Sequence, residues 1–125
     1  SPARIEGFLI LQPELAQAMV YGDKHPHVVA LLVPDQEFAN DWAKAHGVEK
    51  DLGKLCDNPA FVKAIGGAID RVNATLSPLE KVRRFALAPE AFTIDNAMLT
   101  PSLKIRRHII REKYGEALEK LYERS

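Results

Sequence analysis

Apolar residues recur along this chain with two different spacings, and the spacing separates predicted strands from predicted helices. Residues 28–33 form a continuous apolar run, which is typical of a strand buried on both faces. A strand over residues 27–33 and another over residues 15–22 predict an antiparallel hairpin, because the sequence between them has turn chemistry. Partial alternation over residues 81–88 predicts a third strand.

Two helices are predicted in the first half of the chain. Ser1 and Pro2 are typical of an N-cap and a first helical residue, and Pro13 stops the helix after about residue 11. Asp35 is placed to cap a second helix, and Gly47 is placed to end it in the left-handed conformation. The polar residues 48–57 predict a connection without regular structure.

The second half begins with Asn58 and Pro59, which predict another capped helix start. Apolar residues then recur every three or four positions, as on one face of a helix. They are Phe61, Ile65, Ile69, Val72 and Leu76. Residues 91–101 predict an irregular loop, and residues 105–113 and 116–123 predict helical segments that Gly115 kinks or divides.

Strands and helices in this mixed order predict an α+β fold. We expect a small three-stranded sheet, made of the hairpin and the third strand, with helices on both faces. The chain has 125 residues, which is one domain's length. No apolar run approaches the roughly 18 residues of a membrane-spanning helix, and no signal peptide is evident.

The amino-acid composition limits the classes of function that this chain could have. Hydrophobic residues make up 46% and charged residues 27%, and both Lys+Arg and Asp+Glu number 17. The balanced charge gives no overall field that would attract nucleic acid. The single cysteine, Cys56, cannot form an internal disulfide, which fits a reducing cytoplasm, and we interpret it as a packing residue. Gly66-Gly67 lacks the Lys-Ser/Thr of a phosphate loop.

The candidate for chemistry is Lys104, which follows the turn-forming residues Thr100, Pro101 and Ser102. This order predicts a lysine that projects from a loop, where its ammonium can meet a phosphate or carboxylate oxygen. An ordinary surface lysine beside a helix start is the alternative that spacing alone favours.

Other polar clusters have plainer interpretations. Arg83 and Arg84 are adjacent on a strand and should face opposite sides. Arg106 and Arg107 are expected to be solvated or paired with Glu112.

The histidines suggest structural roles more than a metal site. His25 and His27 have a spacing that could hold a metal, but Asp23 is the only nearby third ligand, so turn residues are the better interpretation. His46 is placed at a helix C-terminus, where its partial positive charge is favourable.

Three segments carry a resemblance to a known family. Met98-Leu-Thr-Pro-Ser-Leu-Lys-Ile-Arg-Arg107 resembles the C-terminal lysine motif of AMP-forming acyl-CoA synthetases, in the long-chain fatty acid branch. The segment from Glu80 to Asn96 is similar to the strand and loop that lead into that lysine. Ser1-Pro-Ala-Arg-Ile-Glu6 is similar to the end of the motif after the interdomain hinge. The family usually has Gly before the lysine, where this chain has Leu103.

The resemblance implies that residues 1–125 form the single C-terminal lid domain of a larger two-domain enzyme, whose N-terminal domain and hinge lie before Ser1. It implies that Lys104 is the catalytic lysine of adenylation and that Arg71, Thr100 and Ser102 bind cofactor. ATP, CoA and Mg²⁺ are the implied cofactors, held mainly by the N-terminal domain, and a long-chain fatty acid is the implied substrate. We expect the full-length enzyme in the cytoplasm, with peripheral association at the inner face of the membrane as an open alternative.

Two further interpretations stay open at this stage. The chain could be a freestanding interaction module that docks a partner through its amphipathic C-terminal helix. It could also belong to a related adenylate-forming enzyme in which a carrier protein replaces CoA.

Overall fold

The computed structural model describes residues 1–22 and 24–124 as an α+β fold, as predicted. The helices are α1 (Pro2–Leu9), α2 (Gln36–His46), α3 (Leu52–Leu55), α4 (Pro59–Asn73) and α5 (Arg107–Lys120), followed by a 3-10 turn over Leu121–Arg124. The strands are β1 (Leu15–Tyr21), β2 (Val28–Pro34) and β3 (Val82–Leu87).

The sheet has the order β1-β2-β3, with β2 in the centre. β1 pairs with β2 antiparallel, which confirms the hairpin, and Met19 lies opposite Leu31. β3 pairs with β2 in parallel, with Ala86 opposite Leu31. A parallel neighbour needs a crossover connection, and helices α2, α3 and α4 supply it.

Both faces of the sheet are covered, because alternate residues of β2 enter different apolar clusters. Ala30 and Leu32 join a first cluster, and α1, α2 and α4 pack on this face. Val29 and Leu31 join a second cluster with residues of α5 and of the segment before it. The continuous apolar run of β2 therefore has the double-sided burial that its sequence predicts.

The predicted caps Asp35 and Asn58 are confirmed, whereas Ser1 stands at the N-cap of α1 without a side-chain capping bond. The Asp35 carboxylate accepts a hydrogen bond from the amide of Phe38, and Asn58 accepts from the amides of Ala60 and Phe61. Gly47 ends α2 with a φ of 65°, in the left-handed region.

Several predicted bounds were wrong. The connection over residues 48–57 contains the short helix α3, because Asp51 caps it and Leu55 is buried. The helix α4 ends at Asn73, although Leu76 beyond it is still buried. Gly115 does not divide α5, which is continuous, since one glycine costs a helix only about 1 kcal/mol and packing elsewhere compensates.

Candidate functional site

Lys104 lies on a tight hairpin, which we call the lysine hairpin and define as residues 99–105. Leu99 and Ile105 pair as an antiparallel bridge. Within it, the Thr100 amide donates to the Lys104 carbonyl at 2.8 Å, and the Leu103 amide donates to the Thr100 carbonyl at 2.8 Å. This pattern matches a three-residue connection in which a turn is followed by a left-handed residue.

The left-handed residue of this connection is Leu103, with a φ of 65°. That conformation suits glycine, because a Cβ atom crowds the following carbonyl there. The position before the lysine, where the resembled family usually has Gly, is therefore the one that needs a positive φ. This chain keeps the conformation with leucine, a residue that is 67% exposed here.

Thr100 and Ser102, the predicted cofactor-binding hydroxyls, help to build the turn. Their hydroxyl oxygens lie 3.1 Å apart, and the Thr100 hydroxyl also accepts from the Lys104 amide at 3.1 Å. Both residues stand within the same turn as Lys104, so the structure brings these three together. Their contact with a nucleotide stays a prediction.

The Lys104 side chain is free to meet a ligand. It is exposed, and its ammonium makes no hydrogen bond or ion pair with any residue in the described ranges. A turn thus holds the backbone while the charge is left without a partner in this part of the chain. In this position the ammonium can bind a phosphate or carboxylate oxygen.

The segment that leads into the hairpin is held by side-chain amides. Gln17 on β1 bonds both backbone groups of Phe92, accepting from its amide at 2.7 Å and donating to its carbonyl at 2.9 Å. Asn96 bonds the amides of Thr93 and Met98 and the carbonyl of Ala91. The loop predicted as irregular is therefore tied to the sheet at Phe92 and braced from within by Asn96.

On the other side of the hairpin, Arg107 begins α5 and pairs with Glu6 of α1. Its two terminal nitrogens each donate to one carboxylate oxygen of Glu6 at 2.7 Å. This bond raises the pKa of Arg107 above its usual high value. The expected alternatives for Arg107, solvation or pairing with Glu112, were wrong, because the partner is 101 residues away in the chain and only the fold brings it close.

Arg71, the other predicted binding residue, stands apart from the hairpin. It lies on α4, where its guanidinium donates to the carboxylate of Glu14 and to the side-chain oxygen of Gln12. The side chain is still 52% exposed. Its role in binding CoA stays a prediction.

Strand β3 carries the other two candidate arginines. Arg83 donates to the carbonyl of Pro78, and Arg84 donates to the carbonyl of Leu121. Both line a groove of about 490 Å³ between α4 and β3.

The histidines take structural places. His25 stacks on Tyr122 with 3.7 Å between ring centroids and lies 3.0 Å from a Glu119 carboxylate oxygen. His46 stacks on Trp42. The described residues contain no group of three potential metal ligands, and Asp23, the third ligand considered for His25 and His27, lies outside them.

Cys56 is half-buried, and burial raises the pKa of its thiol to about 11, with the nearby Asp57 adding to the effect. The thiol therefore stays protonated at neutral pH, which suits a packing residue more than a nucleophile. In the described part of the chain, no helix combines the length and the apolar character that crossing a membrane requires.

Sequence reasoning missed three residues that support the site: Glu6, Gln17 and Asn96. Glu6 had a signal, since it ends the motif at the start of the chain, but nothing indicated its partner. Asn96 likewise ends the second resembling segment, and its bonds stay within five residues of it, but nothing marked it as a brace of the loop. Gln17 had no signal, because a side-chain amide that bonds backbone 75 residues away looks like any polar surface residue.

Comparison with known proteins agrees with the geometry. The whole chain, residues 1–125, matches the family described as AMP-binding enzyme C-terminal domain. It is 32% identical over 124 residues to the long-chain-fatty-acid–CoA ligase FadD15 of Mycobacterium tuberculosis, a match covering 98% of this chain and 21% of the relative. It is 34% identical over 125 residues to human long-chain-fatty-acid–CoA ligase 1, covering 98% of this chain and 18% of the relative.

Among solved structures, the A-PCP didomain of a carboxylic acid reductase from Segniliparus rugosus in complex with AMP superimposes with a TM-score of 0.77. Its identity is 27%, and the match covers 99% of this chain and 16% of that one. The chain thus spans about a fifth of the length of the curated relatives it matches.

Proposed function

The chain belongs to the AMP-binding enzyme C-terminal domain family, and from this premise we propose that it is the mobile C-terminal domain of an ATP-dependent long-chain fatty acid–CoA ligase. The observation that carries the proposal is the exposed, unpaired ammonium of Lys104 on the lysine hairpin, within the described residues. The identity of 32–34% to two long-chain ligases across nearly all of the chain supports the same substrate class.

The reaction that this lysine would serve is the activation of a carboxylate by ATP. The carboxylate oxygen attacks the α-phosphorus, an acyl-adenylate forms, and pyrophosphate leaves. Negative charge builds on the α-phosphoryl oxygens as the attack proceeds. A positioned ammonium between the phosphoryl group and the carboxylate stabilises that charge and orients the two reactants without covalent chemistry.

The second half-reaction, in which the CoA thiol displaces AMP, would use another face of the domain after it rotates. We propose Arg71 as a contact for the phosphates of CoA, since half of its side chain is exposed even with Glu14 bound. The described residues contain no cluster of three potential metal ligands and so offer no site that fits Mg²⁺. We therefore assign no step of the reaction to a metal held by this domain.

The activity would need both domains, because each half-reaction site lies between them. We expect these 125 residues alone to have neither ligase activity nor tight nucleotide affinity. Formation of acyl-CoA by the isolated chain would contradict the proposal.

The test separates the half-reactions in the full-length enzyme. Lys104→Ala should slow acyl-adenylate formation by at least about 10²-fold, as loss of one transition-state donor does in other enzymes. The rate of this half-reaction is measured from the pyrophosphate that it releases. Thioester formation from preformed acyl-adenylate should be far less affected. Lys120→Ala, which removes an exposed charge at the end of α5, is the matched control. Equal losses in both half-reactions would make Lys104 a folding residue and refute the role.

A second candidate function has one observation in its favour. The carboxylic acid reductase A-PCP didomain superimposes with a TM-score of 0.77, against 0.55 for a fatty acyl CoA synthetase of Mycobacterium tuberculosis. The acceptor of the acyl group would then be a thiol carried on a protein and not free CoA. Acyl transfer to a phosphopantetheinylated carrier domain, with none to CoA, would decide for this alternative.

A further inference from the structure

Glu6 is a nearly buried carboxylate whose bonds reach two parts of the fold. Only 11% of its side chain is exposed. It accepts two hydrogen bonds from Arg107 and one, at 2.7 Å, from the amide of Val20 on β1. A carboxylate this deep needs a positive partner, and in the described structure Arg107 is that partner.

Arg107 lies three residues after Lys104, and the chain between them has little freedom. The Arg106 amide donates to the Met98 carbonyl at 2.8 Å, and Ile105 pairs with Leu99. Met98 itself is buried in the second apolar cluster. The two ends of the lysine hairpin are thus tied to each other and to the core at Met98, and the bond from Arg107 to Glu6 adds a tie from the C-terminal end to α1.

The helix that carries Glu6 also runs beside the hairpin. A shallow groove of about 280 Å³ is lined by Glu6 of α1, by Ile10 just beyond that helix, and by Leu99, Leu103 and Ile105 of the lysine hairpin. Any tilt of α1, or release of Arg107 from it, changes the support of the hairpin directly. A misplacement of about 1 Å of a reacting group can cost about 10²-fold in rate.

We propose that Glu6 is a positioning residue for adenylation, which acts through Arg107 to hold the lysine hairpin where Lys104 meets the reacting groups. The inference rests on the proposed function, because it gives Lys104 its role in adenylation. It assigns to the start of the chain a function in catalysis that is separate from contact with substrate. Glu6 itself touches no reacting atom in this arrangement.

The test uses Glu6→Gln in the full-length enzyme, because glutamine keeps the size of the side chain and an oxygen for the Val20 amide. It removes the charge that holds Arg107 in a two-point bond. We expect acyl-adenylate formation to fall about 10-fold or more in kcat, with KM for ATP little changed. The rate of thioester formation from preformed acyl-adenylate should stay within about threefold of the unsubstituted rate. Loss of folding would lower both half-reactions, so this second rate separates positioning from misfolding.

Glu14→Gln is the matched control, since the Glu14 side chain is also 11% exposed and also pairs with an arginine, Arg71. It is compared only in adenylation, which does not involve CoA, and should leave that step near the unsubstituted rate. Equal loss in both variants would overturn the inference, because the effect would then be general destabilisation.

The double variant decides whether Glu6 acts through the lysine. In the Lys104→Ala background, Glu6→Gln should lower adenylation little further, because the group it positions is gone. A full additional loss there would refute the inference. If Lys104→Ala alone fails to slow adenylation selectively, the proposed function fails. If it does slow adenylation but Glu6→Gln behaves as Glu14→Gln, only the positioning role fails.

Discussion

The amide of Leu103 donates a hydrogen bond to the carbonyl of Thr100 at 2.8 Å, and this bond closes the turn that leaves Leu103 with a φ of 65°. The turn sets the direction in which the next residue, Lys104, leaves the backbone. Leucine, which is strained in this left-handed conformation, therefore stands directly before the candidate catalytic lysine.

Leu103→Gly should stabilise the chain by about 0.5–1 kcal/mol. Relief of the left-handed strain is worth about 1–2 kcal/mol, and the greater freedom of glycine in the unfolded state offsets part of it. Thermal denaturation followed by circular dichroism should show the melting temperature rise by about 2–5 °C. Leu103→Val, with a β-branched side chain, should lower it. A lower melting temperature for the glycine variant than for the valine variant would contradict this account.

Gly22→Ala should destabilise the chain by about 1–3 kcal/mol, through overpacking of the hairpin connection. A Cβ atom at Gly22 would stand 2.6 Å from a methyl carbon of Val28, which lies on the facing strand. Chemical denaturation gives the difference in the free energy of unfolding.

Gly115→Ala is the control for the same change, with the opposite expected sign. A Cβ atom there meets nothing within 4 Å, and the residue lies inside α5. We expect about 0.5–1 kcal/mol of stabilisation from the better helix propensity of alanine. Destabilisation by Gly115→Ala would mean that α5 needs the glycine as a break, as the sequence interpretation had it.

Cys56 should resist alkylation in the folded chain. With the pKa of its thiol raised from 9.0 to about 11, roughly 100-fold less thiolate is present near pH 8 than for an unshifted thiol. Iodoacetamide labelling, followed by mass spectrometry, should be slower by about that factor in the native chain than after denaturation. Because the folded pKa is raised, the protonated thiol's contribution to stability holds below pH 9 and is lost as the pH rises toward 11. Equal labelling rates in the two states would refute the burial of this thiol.

Tyr21 should ionise late in an alkaline titration. The hydrogen bond it donates to Glu119, with burial and the nearby negative charge, raises the pKa of its phenol from 10.0 to about 12. The contribution of the neutral phenol to stability is therefore complete below pH 10 and is lost as the pH rises from 10 to 12. The difference in tyrosinate absorbance between the unsubstituted chain and Tyr21→Phe follows the ionisation of Tyr21.

Glu119→Gln should move that titration toward pH 10, because it removes the charged acceptor. The same pair acts at low pH with the opposite sign. Hydrogen bonds from Tyr21 and then His25 lower the pKa of Glu119 below 4.5, so its contribution is present above that pH and is lost on acidification. An unchanged phenol titration in Glu119→Gln would contradict the pairing.

Most of the local structure could be predicted from neighbouring residues alone. Asp35 and Asn58 predict helix starts, because the backbone amides that donate hydrogen bonds to a capping side chain lie within three residues of it. The apolar run of β2 predicts a strand that is covered on both faces. The Thr-Pro-Ser turn predicts that Lys104 projects from a loop. The resemblance in the lysine segment named the family that comparison then confirmed.

The supports of the site could not be predicted in this way. Glu6 and Arg107, or Gln17 and Phe92, are partners only because a parallel crossover and two layers of helices bring distant segments together. Gly115 stays inside a continuous helix because tertiary packing outweighs the small cost of one glycine. The sequence by itself determined where the capped helices α2 and α4 begin and which residue carries the candidate charge, since these depend on contacts within a few residues. Only the tertiary structure decided which residues support the hairpin that carries this charge, because the partly buried pair of Glu6 and Arg107 joins residues 101 positions apart in the chain.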